Sequence, residues 1–469
     1  MSFKTVLLED LAAPFRNSIV GGPFGSNLVS KDYVSAGVPV IRGQNMGERW
    51  VGGEFVFVSA EKADSLSPNK ARPGDLVFTQ RGTLGQVAIV PASPYSEYIV
   101  SQSQMKMTPD VSKADVNFLY YAFRSPKQLD YIENTAIQTG VPHTNLGILK
   151  KTPIDLPSLV TQRQIAAVLG ALDDRIALLR ETNATLEAIA QALFKSWFVD
   201  FDPVRARQQG LAPEGMDEAT AALFPDGFEE SELGLIPKGW RIDEIGKAAP
   251  CVGGATPSTK EPRFWDDPVH HWVTPKDLSG LQSSVLIATE RKVSEAGLAK
   301  ISSGLLPVGT LLLSSRAPIG YLAIAHVPTA INQGFIAMLP GGQLPASYLL
   351  FWTKLNMDAI KQKANGSTFM EISKSAFRPI KLVVPSSQVV SEFDSICRPL
   401  LDRIADKITD THVRKYSESQ TFVAHHFVSH AHSPDRDRRH CLLVLCRHVQ
   451  LGDVHSLLID VDCRRHFDD

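Results

Sequence analysis

The 469-residue chain has no apolar run long enough to suggest a membrane span. Stretches such as Leu305 to Leu313 fall well short of the ~18–20 residues needed to cross a bilayer, and this one contains Pro307. Cysteine is scarce and odd in number, and Cys251, Cys397, Cys441, Cys446 and Cys463 make no disulfide framework. The opening MSFKTVLLEDL is too charged and too short for a signal peptide. Together these absences make the cytoplasm the expected compartment. Positive charge is not in excess either: with a net charge of −2 and a pI of about 6.7, a nucleic-acid role has to rest on local patches.

Catalytic signatures are also missing. An amino-methyltransferase needs an Asn/Asp-Pro-Pro-aromatic turn, and the chain has no Pro-Pro dipeptide. Gly246-Lys247 is followed by Ala248, so there is no nucleotide-binding P-loop. Pro225-Asp226 with Glu229 lacks the Glu-x-Lys of a nuclease triad. Gly21-Gly-Pro-Phe-Gly25 lacks dinucleotide-loop spacing and reads as a turn, with a backbone N–H nest facing phosphate as the alternative. His270 and His271 are adjacent rather than at metal-ligand spacing, and Trp272 reads as core. No catalytic residue and no metal site are expected.

What is present is a long heptad-like seam. From Ile165, apolar residues recur at Leu169, Leu172, Ile176, Leu179, Leu186, Ala190, Leu193 and Trp197, with Asn183 as the one polar member. The spacing predicts a helix over Thr161–Trp197, roughly 50 Å long at about 1.5 Å per residue, with Asn183 fixing register. The β-rich stretches on either side of it repeat one another. Gly74, Arg81 and Gly85 fall on Gly309, Arg316 and Gly320, and Gln102, Met107 and Pro109 on Gln333, Met338 and Pro340. Phe118-Leu-Tyr-Tyr-Ala-Phe is echoed by Tyr348-Leu-Leu-Phe-Trp, Gly140 by Gly366, and Pro153-Ile-Asp-Leu by Pro379-Ile-Lys-Leu. A second seam follows the second copy, at Phe393, Ile396, Leu400, Ile404 and Ile408, predicting a partner helix over about Gln388–Gln420. The order is domain, helix, domain, helix, and two seams of similar length can bury each other as an antiparallel pair.

Three segments carry a family resemblance: Pro157-Ser-Leu-Val-Thr-Gln162-Arg-Gln-Ile165, Phe194-Lys-Ser-Trp-Phe198-Val-Asp-Phe-Asp202-Pro, and Leu223-Phe-Pro-Asp-Gly-Phe228 through Gly234-Leu-Ile-Pro237-Lys-Gly-Trp240. With the doubled layout, residues 1 to about 420 resemble the specificity subunit of type I restriction–modification systems. The resemblance implies an α+β fold: two similar mixed α/β target-recognition domains separated by two long helices that form an antiparallel intramolecular coiled coil. Expected boundaries are 1–157 and 240–386 for the domains, 158–202 and 387–422 for the helices, 203–239 for a linker with a short helix near Met216–Leu223, and 423–469 for a tail. It further implies that each domain reads half of a bipartite site on double-stranded DNA, with the helices as ruler. Methylation of adenine N6 and ATP-dependent translocation with cleavage would belong to modification subunits, two of them, and to restriction subunits. No cofactor is expected on this chain; S-adenosylmethionine, ATP and Mg would sit on the partners. The competing reading is a coiled-coil adaptor that never binds DNA.

A recognition domain needs donors and acceptors on loops backed by a rigid scaffold, with Lys or Arg for phosphate. In the first copy the candidates are Lys31, Arg42, Gln44, Asn45, Gln80, Arg81, Gln102, Gln104, His143 and Asn145. In the second they are Lys260, Lys276, Asp277, Ser315, Arg316, Asn332, Gln333, Ser367 and Thr368. Arg81 and Arg316 lead, because both copies place Arg between a β run and a Gly turn. Phe194, Trp197, Phe198 and Phe201 cover more than one helical face, and the surplus suggests docking of the modification subunits. After about Phe422 the composition changes: the tail holds eight of thirteen His, three of five Cys and no Lys. Cys441, Cys446, His440 and His448 lack a matched second pair for zinc. A frame shift near Phe422 with a poorly ordered tail is the expectation.

Overall fold

Leu76-Val-Phe-Thr and Leu311-Leu-Leu-Ser, equivalent in the repeat, form the central strand of a sheet in each copy. The computed structural model describes residues 3–138, 140–366 and 370–419, the side chains of 410–419 apart. The tail 423–469, with its cysteines and histidines, lies outside the described residues, as do Ser367 and Thr368. Two units are distinguished, one built mainly on Met1–Arg175 and one on Ile176–Val413.

In the first, β1 (Ile19–Gly21), β2 (Leu76–Thr79), β3 (Val87–Ile89) and β4 (Gln104–Met107) lie in the order β1-β4-β2-β3, all antiparallel. Because side chains alternate along a strand, Leu76 and Phe78 enter one apolar core while Val77 enters another on the opposite face. Helix α1 (Val116–Phe123) covers the first face, capped by Asp115, whose carboxylate accepts from the N–H of Asn117 and Phe118 at 3.0 Å. Phe123 meets Phe78 edge-on at 4.7 Å. The N-terminal strand Lys4–Leu7 pairs with Pro153–Leu156, so the unit closes on itself just before the long helix.

That helix, α2 (Leu159–Phe198), is continuous and slightly longer than its seam. Of the expected seam, Ile165, Ile176, Leu179, Asn183, Ala190 and Trp197 are buried, while Leu169, Leu172, Leu186 and Leu193 are half-buried.

The second unit repeats the sheet. Strands β5 (Cys251–Val252), β6 (Val285–Leu286), β7 (Leu311–Ser314), β8 (Leu322–Ala325) and β9 (Phe335–Met338) lie in the order β5-β9-β7-β8-β6. Leu311 and Leu313 again face one core and Leu312 another. Helix α3 (Ala346–Leu355) takes the place of α1, and Arg241–Glu244 pairs with Lys381–Val384 as the closing strands do in the first copy. Trp272 is buried, in keeping with its reading as a core residue.

Helix α4 (Ser387–Ser419) follows, with Phe393 near its start packed on Phe194, Trp197 and Phe198 near the end of α2 at 5.9, 6.1 and 5.0 Å between rings. Further back along α2, Leu186 and Ala190 share one core with Leu401, Ile404 and Ile408 further on in α4, so the pair runs antiparallel. The seam of α4 differs from the one expected. Ile396 is 38% exposed, and Phe393, Cys397, Leu401 and Ile404 are the buried positions. Pro399 sits on the exposed side, where the hydrogen bond its missing N–H would make to Ser395 is lost to solvent rather than to the core.

The expected linker is a correction. Asp202–Gln208 and Glu218–Ala222 are helical, and Phe228–Ser231 pairs with Gly234–Pro237. Val204, Phe224, Ile236 and Trp240 are buried in the main core of the unit. Proline and glycine punctuate this segment without loosening it. The four aromatics expected as a docking face are corrected for the same reason. Phe194, Trp197 and Phe198 are 3, 3 and 7% exposed, and Phe201 packs on Phe228 and Trp240. Their surplus apolar surface is satisfied within the chain by Phe224, Trp240, Tyr348 and Phe393.

Candidate nucleic-acid interface

Beyond β2, the chain continues through Gln80 and Arg81 into a turn, and three other loops are fastened to it there. The Gln80 N–H donates to Ser103 O at 2.7 Å, and the Thr144 N–H donates to Gln80 O at 3.0 Å. Arg81 bridges His143, which exchanges two backbone hydrogen bonds with Ile137 at 2.8 and 3.2 Å. The fourth loop leaves β1 through Gly22, whose N–H donates to Gln104 O at 2.8 Å. The Gln102 amide holds that loop by donating to Leu28 O at 2.8 Å and to Gly25 O.

The second copy is fastened the same way. The Ser315 N–H donates to Gly334 O at 2.8 Å, and the Ile372 N–H donates to Ser315 O at 3.0 Å. Arg316 bridges Glu371, which exchanges two 2.9 Å bonds with Asn365. The Gln333 amide and Thr256 hydroxyl join the loop after β5. The backbone supports the parallel, since Gly85 and Gly320 adopt φ of 84° and 118°, a region that favours glycine.

Chemistry differs where the backbone agrees. The Arg316 guanidinium lies 3.5 Å from the Glu371 carboxylate, with side chains 35 and 47% exposed, a pair of little energetic weight. His143 stands opposite Arg81 instead, and its Nδ1 lies 3.1 Å from Val141 O. One framework therefore presents two different sets of polar groups.

The structure brings Gln80, Arg81, Gln102 and His143 together in the first copy, and Arg316 and Gln333 in the second. Lys31 is exposed in a separate turn over Ser30–Asp32. Arg42 is half-buried beside this edge, its backbone next to the Ile41 carbonyl that accepts from Ser101 N at 3.0 Å. Gln44 is exposed and donates to Glu54 O at 3.2 Å. Lys260 lies in the turn that begins at Ser258.

Several candidates carry hydrogen bonds or ion pairs within the chain. Asn45 is 2% exposed; its carbonyl oxygen accepts from Arg42 N, and its amide donates to Gly52 O and Glu54 O at 2.9 Å. Asn145 caps the helix Leu146–Lys150 by accepting from Ile148 N at 2.9 Å. Ser315 is 3% exposed, Gln104 is fully buried, and Asn332 accepts from Gly334 N at 2.8 Å. Asp277 accepts from Thr274 N and Glu290 N, and Lys276 is paired with Glu290 at 2.8 Å, which raises its pKa. The residue types that read bases also close turns. His270 and His271 bond to Glu295 and Thr289 at 2.8 and 3.0 Å.

Phe24, 90% exposed in the loop held by Gln102, was not singled out from sequence. The Gly-Pro-Phe-Gly context was its only signal. Arg49 was missed as well, since its partners lie far along the chain.

Two loop-capped domains of one design, fastened to a long helix, define a recognition module used twice. Residues 32–188 and 237–396 match the family described as type I restriction modification DNA specificity domain, more than half of the chain, and the chain belongs to that family. The specificity subunit of type I restriction enzyme MjaIX from Methanocaldococcus jannaschii is 38% identical over 161 residues, 32% of this chain and 36% of that subunit. The HindI specificity subunit of Haemophilus influenzae is 26% identical over 368 residues, 69% of this chain and 79% of that one. The matched share of these relatives thus runs from about a third to four-fifths of their length. The crystal structure of the type I restriction–modification S subunit from M. genitalium shares the fold, with a TM-score of 0.52 and 15% identity over 89% of this chain and 94% of that one. No helix among the described residues is long and apolar enough to cross a membrane.

Proposed function

We propose that this chain reads a bipartite site on double-stranded DNA, one half with each domain, and catalyses nothing itself. Two modification subunits would methylate adenine N6 at the site and restriction subunits would cleave DNA, with S-adenosylmethionine, ATP and Mg bound by those partners in the cytoplasm. The observation that carries this reading is the loop platform built twice, each time with an arginine at the strand end. Arginine there can reach guanine O6 and N7 with two donors, and the differing neighbours His143 and Glu371 suit two different half-sites.

Duplex binding by the chain assembled with a modification subunit tests it. Affinity is expected to fall steeply as salt rises. Arg81→Ala is expected to cost about 1–3 kcal/mol and to relax base preference in one half-site only, with Arg316→Ala acting on the other. Salt-independent or absent duplex binding would favour the adaptor reading.

A further inference from the structure

The edge of each sheet carries a polar grip on α2. In the first unit Arg49 lies beside β3, its carbonyl accepting from Ile89 N at 2.8 Å, while Val51 N donates to Ile89 O at 2.9 Å. Its side chain is 14% exposed and reaches the helix. The guanidinium donates to Asn117 Oδ1 at 2.7 Å and stacks 4.9 Å from the Trp50 ring and 5.8 Å from that of Tyr121, and these contacts hold it against the helix. Asp174 Oδ1, 3.3 Å away on a side chain 72% exposed, adds little energy of its own. The Tyr121 hydroxyl donates to Asp173 at 2.8 Å. Gly170 admits the guanidinium: a Cβ there would stand 3.2 Å from Nη1 and 3.4 Å from Nη2. Glycine inside a helix weakens it relative to alanine, so this one serves the contact at the expense of the helix.

In the second unit Ser284 holds the same place beside β8, its carbonyl accepting from Ile324 N at 2.9 Å. Ser284 donates through its N–H and hydroxyl to Glu187 of α2 at 3.2 and 2.8 Å, and Lys354 of α3 pairs with the same carboxylate. Burial opposes the charge on Glu187, yet Lys354 and Ser284 hold its pKa below the ordinary value. Equivalent sheet edges in the two copies thus supply a donor set to an acid on one helix.

Apolar burial is non-directional. Near the start of α2 Gln162 adds one polar tie, accepting from Asp115 N at 2.8 Å and donating to Lys113 O at 3.2 Å, and the two grips lie further along the helix. A planar guanidinium fork and a carboxylate shared by three donors fix an angle. Angle matters on DNA, because one base pair is a rise of about 3.4 Å and a rotation of about 35°. We propose that the Arg49–Gly170–Asp174 grip and the Ser284–Glu187–Lys354 grip are the elements that hold the gap between the half-sites to a single length. Arg49, Gly170 and Glu187 are then positioning residues for gap length and do not read bases. The inference rests on the bipartite reading above.

The test is a map of N6-methyladenine in a host carrying the subunit and its modification partner. Gly170→Ala keeps every charge and favours the helix, so a loss of fold does not explain its effect. It, Arg49→Lys and Glu187→Gln are each expected to raise methylation at sites one base pair longer or shorter in the gap at least tenfold over the unaltered chain. Both half-site sequences should stay the same. In an Arg49→Ala background, Gly170→Ala should add nothing further. A single unchanged gap in all three variants, or altered half-site bases, would overturn the proposal. Should the unaltered chain show no two-part motif, the bipartite reading itself fails, and that is seen before any variant is compared.

Discussion

Gly22→Ala is expected to abolish duplex binding by the assembled subunit and to lower the stability of the first domain. A Cβ at Gly22 would lie 2.0 Å from the Ser101 carbonyl oxygen and 2.8 Å from Gln102 Cα. Both obstacles are backbone. Ser101 is itself fixed by donating to Ile41 O at 3.0 Å, so no side chain can swing aside. The cost is expected at or above the upper end of the ~1–3 kcal/mol typical of overpacking. The loop held by Gln102 would part from Arg81 and its neighbours. The second domain has the same liability at Gly254, where a Cβ would lie 1.9 Å from Ile331 O, and Gly254→Ala should fail alike. Gly47→Ala, with nothing within 4 Å, serves as the control and should bind as the unaltered chain does. Binding retained by Gly22→Ala would contradict the close approach.

Lys106→Ala is expected to destabilise the first domain by about 3–5 kcal/mol, the usual cost of stranding one member of a buried ion pair. The Lys106 ammonium lies 3.2 Å from Asp75, with side chains 7 and 3% exposed. Asp75 also accepts from Arg72 N at 3.0 Å and the Thr108 hydroxyl at 2.6 Å, which cannot neutralise its charge. The repeat supplies the comparison, because Thr310 and Ala337 occupy these places in the second domain, both fully buried without a charge. The double variant Asp75→Thr with Lys106→Ala should therefore recover most of the loss. Urea denaturation of the full chain checks both, and a Lys106→Ala change under ~0.5 kcal/mol, the scale of surface substitutions, would count against the pair.

The long helix and the repeat were legible in the sequence because both are written at short range: one in a period of three and four residues, the other in Gly and Arg at fixed offsets. Part of what failed was long-range. Phe194, Trp197 and Phe198 looked unsatisfied because Phe224, Tyr348 and Phe393 meet them only after the chain returns. Ile396 fits a three-four count, but burial follows Cys397 and Leu401, which a count cannot weigh. Asn45, Asn145 and Asn332 resemble base-reading residues because a cap and a base edge ask for the same donors and acceptors. Arg49 gave no local sign, its partner Asp174 being 125 residues away. Arg81 and Arg316 stood out because the same residue appears twice at one backbone position.

Mapping N6-methyladenine across the genome of a host that carries the unaltered chain and its modification partner tests bipartite recognition most directly. A two-part motif with one fixed gap is expected, its halves differing in sequence as the loops around Arg81 and Arg316 differ. A contiguous motif, or no motif dependent on this chain, would contradict it.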